Sequence, residues 1–391
     1  MKRIDDLEKL YTAEVLDSGF RASLGSVFNT RLEKSFSQKF GVNFAIGHVN
    51  GTAAMHTALL TLGVGPGDEV VVPPLTMSST ALAVLQAGAI PVFADVNKDT
   101  FTLEPSSVQK CISDNTKAMI TVSLYGLAPD YDSLRNICDQ SNIAMIEDNA
   151  ECCLGEYKGK LVGQFGEFAS YSFQSSKHMT CGNGGMLTVQ DQEYADKARK
   201  ISNLGYSTVG AKVHNISKND VQDPNFSRHV CLGFNYRLSE INAAVALAQL
   251  ERLQDLVNAR VKVAKLFNDV VRGCGFLTPQ ATPNEYINSY WTYAVVLETE
   301  EPKEWFRFRE IFQKNGGDGY YAAWKLSYFE PYFQEKVQTM PGVWQDFKPG
   351  LCPISENLQQ RMIQFKTNYW DYNRAEKQAE ILAKSIKEFG G

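Results

Sequence analysis

The stretch Tyr171-Ser172-Phe173-Gln174-Ser175-Ser176-Lys177, with Gly182-Asn183-Gly184-Gly185 close behind it, decides how the rest of the chain is read. Phe168–Ser172 is a short apolar run of the kind that forms a buried strand, so Lys177 falls on the turn that follows. Upstream, Ala144-Met145-Ile146 is a second apolar run, closed by Glu147-Asp148. A carboxylate at one strand end and a lysine on the turn after the next strand are what a pyridoxal phosphate site requires. The lysine amine forms a Schiff base with the cofactor aldehyde, and the carboxylate keeps the pyridine nitrogen protonated so that the ring accepts electrons. A lone lysine near glycines would carry little; the ordered pair carries the reading.

The surrounding pattern agrees. Strand-like runs recur at Glu69–Val72, Pro91–Ala94, Ala118–Leu124, Ala144–Ile146, Phe168–Ser172 and Met186–Val189. Helical stretches such as Ser79–Ala87 and Tyr131–Gln140 lie between them. Most of these strands are apolar on both faces, which predicts an α/β fold with a mostly parallel sheet covered by helices. The polar stretch Lys212–Ser227 reads as a loop or lid. Ser239–Val271 reads as one long helical region, with Ala243, Leu247, Leu250 and Val257 on one face. Gly273–Asn288 carries Gly, Pro and Asn signals and marks the expected boundary. Residues 1–272 then form a large domain and residues 273–391 a smaller α+β domain, with Trp291–Leu297 and a terminal helix Asn373–Phe389.

Asn50-Gly51-Thr52-Ala53 precedes a helical stripe of Ala54, Ala58 and Leu62. A glycine and a hydroxyl at a helix start leave backbone N–H groups free, and the helix dipole adds positive potential there, which makes a phosphate site. The plain alternative is an ordinary helix cap with Thr52 bonding its own helix. Ser172, five residues before Lys177, offers a further hydroxyl to the same phosphate.

Composition narrows the class. The chain has 391 residues, 44% hydrophobic and 21% charged, enough for a large core. A net charge of -5 leaves no basic footprint for nucleic acid or an anionic membrane. The start, Met1-Lys2-Arg3-Ile4-Asp5-Asp6-Leu7-Glu8, is too charged for a secretory apolar region, and no run is long enough to span a bilayer. A cytoplasmic protein is the expectation. Eight cysteines include the adjacent pair Cys152-Cys153 but no Cys-x-x-Cys, and read as reduced, mostly buried thiols. His48, His56, His178, His214 and His229 lack metal-ligand spacing, so no metal is expected.

Ordered segments along nearly the whole chain resemble the DegT/DnrJ/EryC1/StrS family of pyridoxal phosphate-dependent sugar aminotransferases, of the aspartate aminotransferase fold (type I). They are Asn50–Ala54, Gly63–Val70, Gly88–Val92 with Asp95, Tyr125-Gly126, Glu147–Ala150, Ser172–Lys177, Gly233–Arg237 and Cys352–Glu356. The resemblance implies that Lys177 carries the cofactor, Asp148 pairs with the pyridine nitrogen, and Gly51, Thr52, Ala53 and Ser172 hold the phosphate. It places Glu151 where glutamine or histidine usually faces the cofactor's phenolic oxygen. Asn235 matches an asparagine that reaches the neighbouring subunit's phosphate, which implies a homodimer with shared sites. L-glutamate is the implied amino donor and a keto sugar the acceptor, in two half-reactions at one site.

Three departures bear on the substrate. Met77 stands where an aromatic usually stacks on the pyridine ring, and Asn183 where glutamate is usual. Gly319-Tyr320-Tyr321-Ala322-Ala323-Trp324-Lys325-Leu326-Ser327 replaces a segment that usually contains arginine and histidine. Tyr320, Trp324, Lys325 and Arg237 are the acceptor-side candidates, with simple packing as the alternative for the aromatics. The acceptor expected is either an acidic 8-keto sugar of the Kdo type for lipopolysaccharide or a nucleotide-linked keto-deoxysugar. Two rivals stand beside transamination. In sugar dehydratases of the same family histidine replaces the lysine, and His178 is adjacent to Lys177. A non-catalytic, cofactor-binding regulatory protein would need neither Lys177 nor Asp148.

Overall fold

A computed structural model describes residues 2–20, 27–213, 217–299, 301 and 303–390, which leaves His214 outside the described residues. In chain order the strands are β1 (Phe44–His48), β2 (Glu69–Val72), β3 (Ile90–Phe93), β4 (Thr116–Val122), β5 (Ala144–Asp148), β6 (Glu156–Tyr157), β7 (Lys160–Leu161), β8 (Phe168–Ser172), β9 (Gly185–Val189), β10 (Leu277–Pro279), β11 (Tyr286–Ile287), β12 (Thr292–Leu297), β13 (Tyr321–Ala322) and β14 (Met362–Lys366). Seven of them form the main sheet, in the order β1-β9-β8-β5-β4-β2-β3. The pairs from β8 across to β3 are parallel, and β9 alone runs against its neighbours β1 and β8. The sheet is therefore mostly parallel, of the α/β class that the apolar runs predict.

Successive residues of each central strand enter opposite layers, as the two-residue period requires. Val70, Val72, Ile120 and Ile146 pack with Ala54, Ala58 and Leu59 of the helix Gly51–Leu62. Val71, Met119 and Met145 pack on the other side with Val108, Leu134 and Ile137. Two-sided burial is why these strands read as continuous apolar runs and not as alternating ones.

Two expectations need correction. β1 escapes the sequence reading because Phe44-Ala45-Ile46-Gly47-His48 has a glycine and a histidine in five residues. His48 is nonetheless fully buried, its ring nitrogens 2.9 Å from the Ile46 carbonyl and 3.0 Å from Thr57 Oγ1. The region 239–271 is two helices, Glu240–Glu251 and Leu253–Val271, broken at Arg252, whose dihedrals (φ -101°, ψ 5°) leave the helical range. The Arg252 side chain pairs with Asp5 at 2.9 Å and Glu8 at 2.8 Å, which ties the start of the chain to the break. Within the polar stretch 212–227 a short helix, Lys218–Gln222, forms behind a Ser217 cap.

The second sheet, β10-β12-β14-β13, is antiparallel and packs on Phe267, Phe308, Phe312 and Leu382. All seven main-sheet strands precede residue 190, and all four strands of this sheet follow residue 276. We propose the boundary within Gly273–Asn288. β11, inside that segment, pairs back onto β6. The two parts share apolar contacts, since Val296, Tyr328, Phe347 and Met362 join the cluster that contains Val70 and Ile120. Asp95 adds a polar clamp: its carboxylate accepts from Ile354 N (2.8 Å), Ser355 N (2.9 Å) and Ser355 Oγ (2.6 Å), at the start of the helix Pro353–Arg361. Among the described residues no helix is long and apolar enough to cross a membrane.

Candidate active site

The carboxyl ends of β5 and β8 lie on the same side of the sheet, where open α/β sheets place their ligands. β1 ends there too, and Asn50 then starts the helix Gly51–Leu62. Lys177 sits on the turn after β8, its N–H donating to the Gln174 carbonyl at 3.0 Å. Its Nζ donates to Glu151 Oε1 at 3.1 Å, and only 13% of the lysine side chain and 5% of the glutamate side chain are exposed. The same ammonium lies 4.5 Å from the centre of the Trp291 ring. The other Glu151 oxygen accepts the Tyr125 N–H at 3.2 Å. Burial pushes the Glu151 carboxyl above its ordinary range, and the charge of Lys177 opposes that push. Tyr125 holds a left-handed backbone (φ 61°), uncommon for a bulky residue and here fixed by full burial.

Asp148, the last residue of β5, is 3% exposed. Its oxygens accept from Thr80 Oγ1 at 2.8 Å and from Ala150 N at 3.1 Å. Burial raises its pKa, against the Thr80 and Ala150 hydrogen bonds and the charge of Lys177. A buried carboxylate with room for one more proton partner suits a protonated ring nitrogen, whose charge would reverse that shift.

The helix start beside it is bare on two groups. Asn50, not Thr52, is the cap: its Oδ1 accepts the Ala53 N–H at 2.8 Å. The cap takes the Ala53 N–H in this conformation. The N–H groups of Gly51 and Thr52 have no acceptor among the described residues. The chain passes so close here that a Cβ on Gly185 would stand 2.5 Å from the Asn50 carbonyl carbon and 2.7 Å from Gly51 N. A Cβ on Gly51 would meet Ser172 Cβ and the Tyr171 carbonyl oxygen at 3.3 Å. Glycine at both positions lets the helix start abut β8 and β9, so that Ser172 flanks the two free N–H groups. Two amide donors, a hydroxyl and the positive end of a helix fit a phosphate, and Lys177 with Asp148 fits the rest of pyridoxal phosphate.

The remaining sequence candidates divide. Met77 is 49% exposed, just ahead of the helix Ser79–Gln86 that carries Thr80. Trp324 comes to the site: its ring centre is 6.3 Å from that of Trp291, which is stacked at 11° on Tyr125. Lys325 beside it is exposed. Tyr320 does not come to the site. It is 6% exposed and packed among Trp305, Phe308, Phe312 and Phe365, so packing is its role. Asn235 and Arg237 are exposed and joined by a 2.8 Å hydrogen bond from Arg237 Nε to Asn235 Oδ1. They flank Tyr236, whose carbonyl accepts the Val49 N–H at 2.8 Å, one residue from Asn50. The His178 ring is fully buried, with Nε2 3.0 Å from the Ser289 carbonyl, and burial depresses its pKa well below the usual histidine value. Asn183 is exposed, and its carbonyl accepts from Asn242 Nδ2 at 2.5 Å.

Sequence reasoning missed Thr80, Gly185 and Trp291 as site residues. Thr80 gives no signal, being one of two adjacent hydroxyls that open a mostly apolar helix. Gly185 sits within the quoted glycine cluster, but nothing local shows which backbone it must admit. Trp291 stands just before β12, far along the chain from Lys177.

Comparison with known proteins gives the same picture. The profile of the DegT/DnrJ/EryC1/StrS aminotransferase family matches residues 2–368. GDP-perosamine synthase of Escherichia coli O157:H7 is 31% identical over 382 residues, 98% of this chain and 95% of that protein. GDP-perosamine synthase of Caulobacter vibrioides is 36% identical over 304 residues, 75% of this chain and 76% of that protein. The crystal structure of a DegT DnrJ EryC1 StrS aminotransferase from Brucella abortus superposes with a TM-score of 0.83 at 26% identity, covering 100% of this chain and 96% of that one. The chain belongs to the DegT/DnrJ/EryC1/StrS aminotransferase family and is a pyridoxal phosphate-dependent sugar aminotransferase.

Proposed function

We propose that the protein moves the amino group of L-glutamate onto an 8-keto sugar acid of the Kdo type, with pyridoxal phosphate held on Lys177. The observation that carries the transfer chemistry is the buried Lys177–Glu151 pair beside the buried carboxylate of Asp148. With the cofactor bound, the Lys177 amine would take the proton from the donor's Cα and deliver it to the carbon on the far side of the transferred nitrogen. The cofactor, when bound, supplies an electron sink for that proton's bonding pair. Asp148 keeps the pyridine nitrogen charged, and Thr80 holds Asp148 in place. Gly51 N–H, Thr52 N–H and the Ser172 hydroxyl would hold the phosphate, and Met77 would cover the ring by dispersion. Glu151 would face the phenolic oxygen, its carboxyl pushed above its ordinary range by burial. With His178 bound to Ser289, Lys177 is the base at hand, which favours transamination over dehydration.

The acceptor reading rests on economy of cations. Glutamate and a sugar acid both present a carboxylate, and one cation serves both half-reactions. Lys325, exposed beside Trp324, is that cation in our reading, with Arg237 of a second subunit as its complement. A nucleotide-linked ketone is the second reading, favoured by the names of the GDP-perosamine synthase relatives. We further propose a cytoplasmic homodimer in which Asn235 of one subunit completes the phosphate site of the other. Single-turnover rates of glutamate-loaded enzyme with 8-keto Kdo and with a GDP-linked 4-keto-deoxysugar test the assignment. Turnover of the nucleotide sugar alone, unaltered by Lys325→Ala, overturns the sugar-acid reading.

A further inference from the structure

Two arginines outside the resemblance converge on the backbone of the Lys177 turn. Arg260, on the helix Leu253–Val271, is 1% exposed. One terminal nitrogen of its guanidinium donates to the carbonyls of Ser176 (2.7 Å) and Lys177 (3.0 Å). The other donates to the Trp291 carbonyl (2.7 Å) and to Thr367 Oγ1 (3.3 Å). Arg3 reaches the same turn from the other side, donating to the carbonyls of Lys177 (2.7 Å), Ser175 (3.3 Å) and His178 (3.3 Å). Both guanidinium groups lie against the Trp370 ring, at 4.9 Å for Arg3 and 5.8 Å for Arg260.

Every acceptor in this arrangement is uncharged. Burial lowers Arg260 to about 9, helped by repulsion from Arg3, and lowers Arg3 to about 10. Burying the Arg260 cation with no carboxylate in ion-pair contact among the described residues is costly, and a helix that needed only packing would carry a leucine at 260. What the planar fork of five N–H groups supplies is simultaneous hold on several carbonyls in fixed directions. Arg3 is itself held: Gln249 Nε2 donates to its carbonyl at 2.9 Å, and Arg252 pins Asp5 and Glu8 behind it. Arg260 also aims Trp291, whose carbonyl it holds and whose Nε1 donates to the Ser176 carbonyl at 3.0 Å. The backbone carbonyls of the lysine and of the tryptophan its amine lies over are thus held by one side chain.

We infer that Arg260, seconded by Arg3, is a positioning residue for Lys177, holding the turn 175–178 so that the amine stays within reach of the substrate carbon. The inference rests on Lys177 being the cofactor-holding lysine. Borohydride trapping of wild-type enzyme tests that premise first, because cofactor found on another lysine overturns the proposed function itself. The variants Arg3→Gln, Arg260→Lys and Arg260→Gln test the inference. In cofactor-free protein, amide exchange at Ser175–His178 rises about tenfold or more in the variants, while β4 and β5 keep wild-type protection. In loaded enzyme the single-turnover rate with L-glutamate falls about 10- to 100-fold, the scale of a small misplacement of a reacting group. The KM for glutamate moves little, and Arg260→Lys recovers part of what Arg260→Gln loses. Should Arg260→Gln fail to fold, Arg3→Gln and Arg260→Lys decide. Wild-type exchange and wild-type rates in those two, or faster exchange across the whole chain with no local excess, overturn the inference.

Discussion

Replacing Asp148 by asparagine separates what this residue does for catalysis from what it costs the fold. In the cofactor-free protein the carboxyl is 3% exposed and its pKa is raised by burial. The two hydrogen bonds survive the substitution: the amide oxygen accepts from Ala150 N–H, and the amide nitrogen donates to Thr80 Oγ1, which turns its own proton elsewhere. Each unit by which burial raises the carboxyl is worth about 1.4 kcal/mol against folding when the group is ionised. The sign follows from linkage. A raised acid contributes its full stability below the unfolded pKa of about 3.9 and loses it as pH climbs through the folded value. Asparagine mimics the neutral form at every pH. The variant is therefore at least as stable as wild type at pH 8, and any difference shrinks as pH falls toward the range in which the wild-type carboxyl is itself neutral. Turnover moves the opposite way, falling about 100- to 1000-fold once the charge opposite the pyridine nitrogen is gone. Urea unfolding of cofactor-free protein at both pH values, with steady-state rates of the loaded enzyme, measures both effects. A variant destabilised by more than about 2 kcal/mol at pH 8, or one that turns over like wild type, refutes the reasoning.

Gly185→Ala puts a Cβ 2.5 Å from the Asn50 carbonyl carbon, forces the helix start off β9, and weakens pyridoxal phosphate binding about tenfold or more; an unchanged titration of apoenzyme with the cofactor counts against the cradle. Lys177→Ala and Asn235→Ala chains are each inactive alone, and mixing them restores about a quarter of wild-type activity if every site draws on two subunits. Activity that never rises on mixing, or a fully active monomer by sedimentation, removes the shared-site dimer.

The parts of the candidate site to which the chemistry is assigned were legible because local geometry constrains them. Asp148 has to end a strand and Lys177 has to follow one, and apolar runs with a closing acid or a following turn show both. The main sheet was legible for the same reason, since burial on both faces leaves unbroken runs at β2, β4 and β8. β1 was lost because a buried histidine satisfied by Ile46 and Thr57 looks like a polar interruption. The helix break at Arg252 was lost because the apolar stripe continues across it, and only the ion pairs to Asp5 and Glu8 reveal why the backbone turns there. For Tyr320 packing, the alternative to acceptor contact, is what the fold provides, because neighbouring residues at a strand edge diverge: it enters the core, while Tyr321 is 59% exposed.

The residues proposed to aim the chemistry left almost no trace, and the reason is physical. Arg3, Arg260 and Trp291 come from the chain start, a helix of the large unit and the entry to the second sheet, and they meet only at the carbonyls of residues 175–178. A backbone carbonyl is the same at every position, so an arginine that binds it has no complementary residue type to betray the pairing. An ion pair such as Arg199 with Glu33, at 2.6 Å, at least has a carboxylate to look for. The consequence reaches function. In the proposed mechanism, substitutions at Lys177 or Asp148 remove a chemical step outright, whereas substitutions at Arg3 or Arg260 leave every proposed reacting group present and change only its direction. Relatives that keep the same lysine and aspartate therefore have room to differ in rate through the groups that hold the turn.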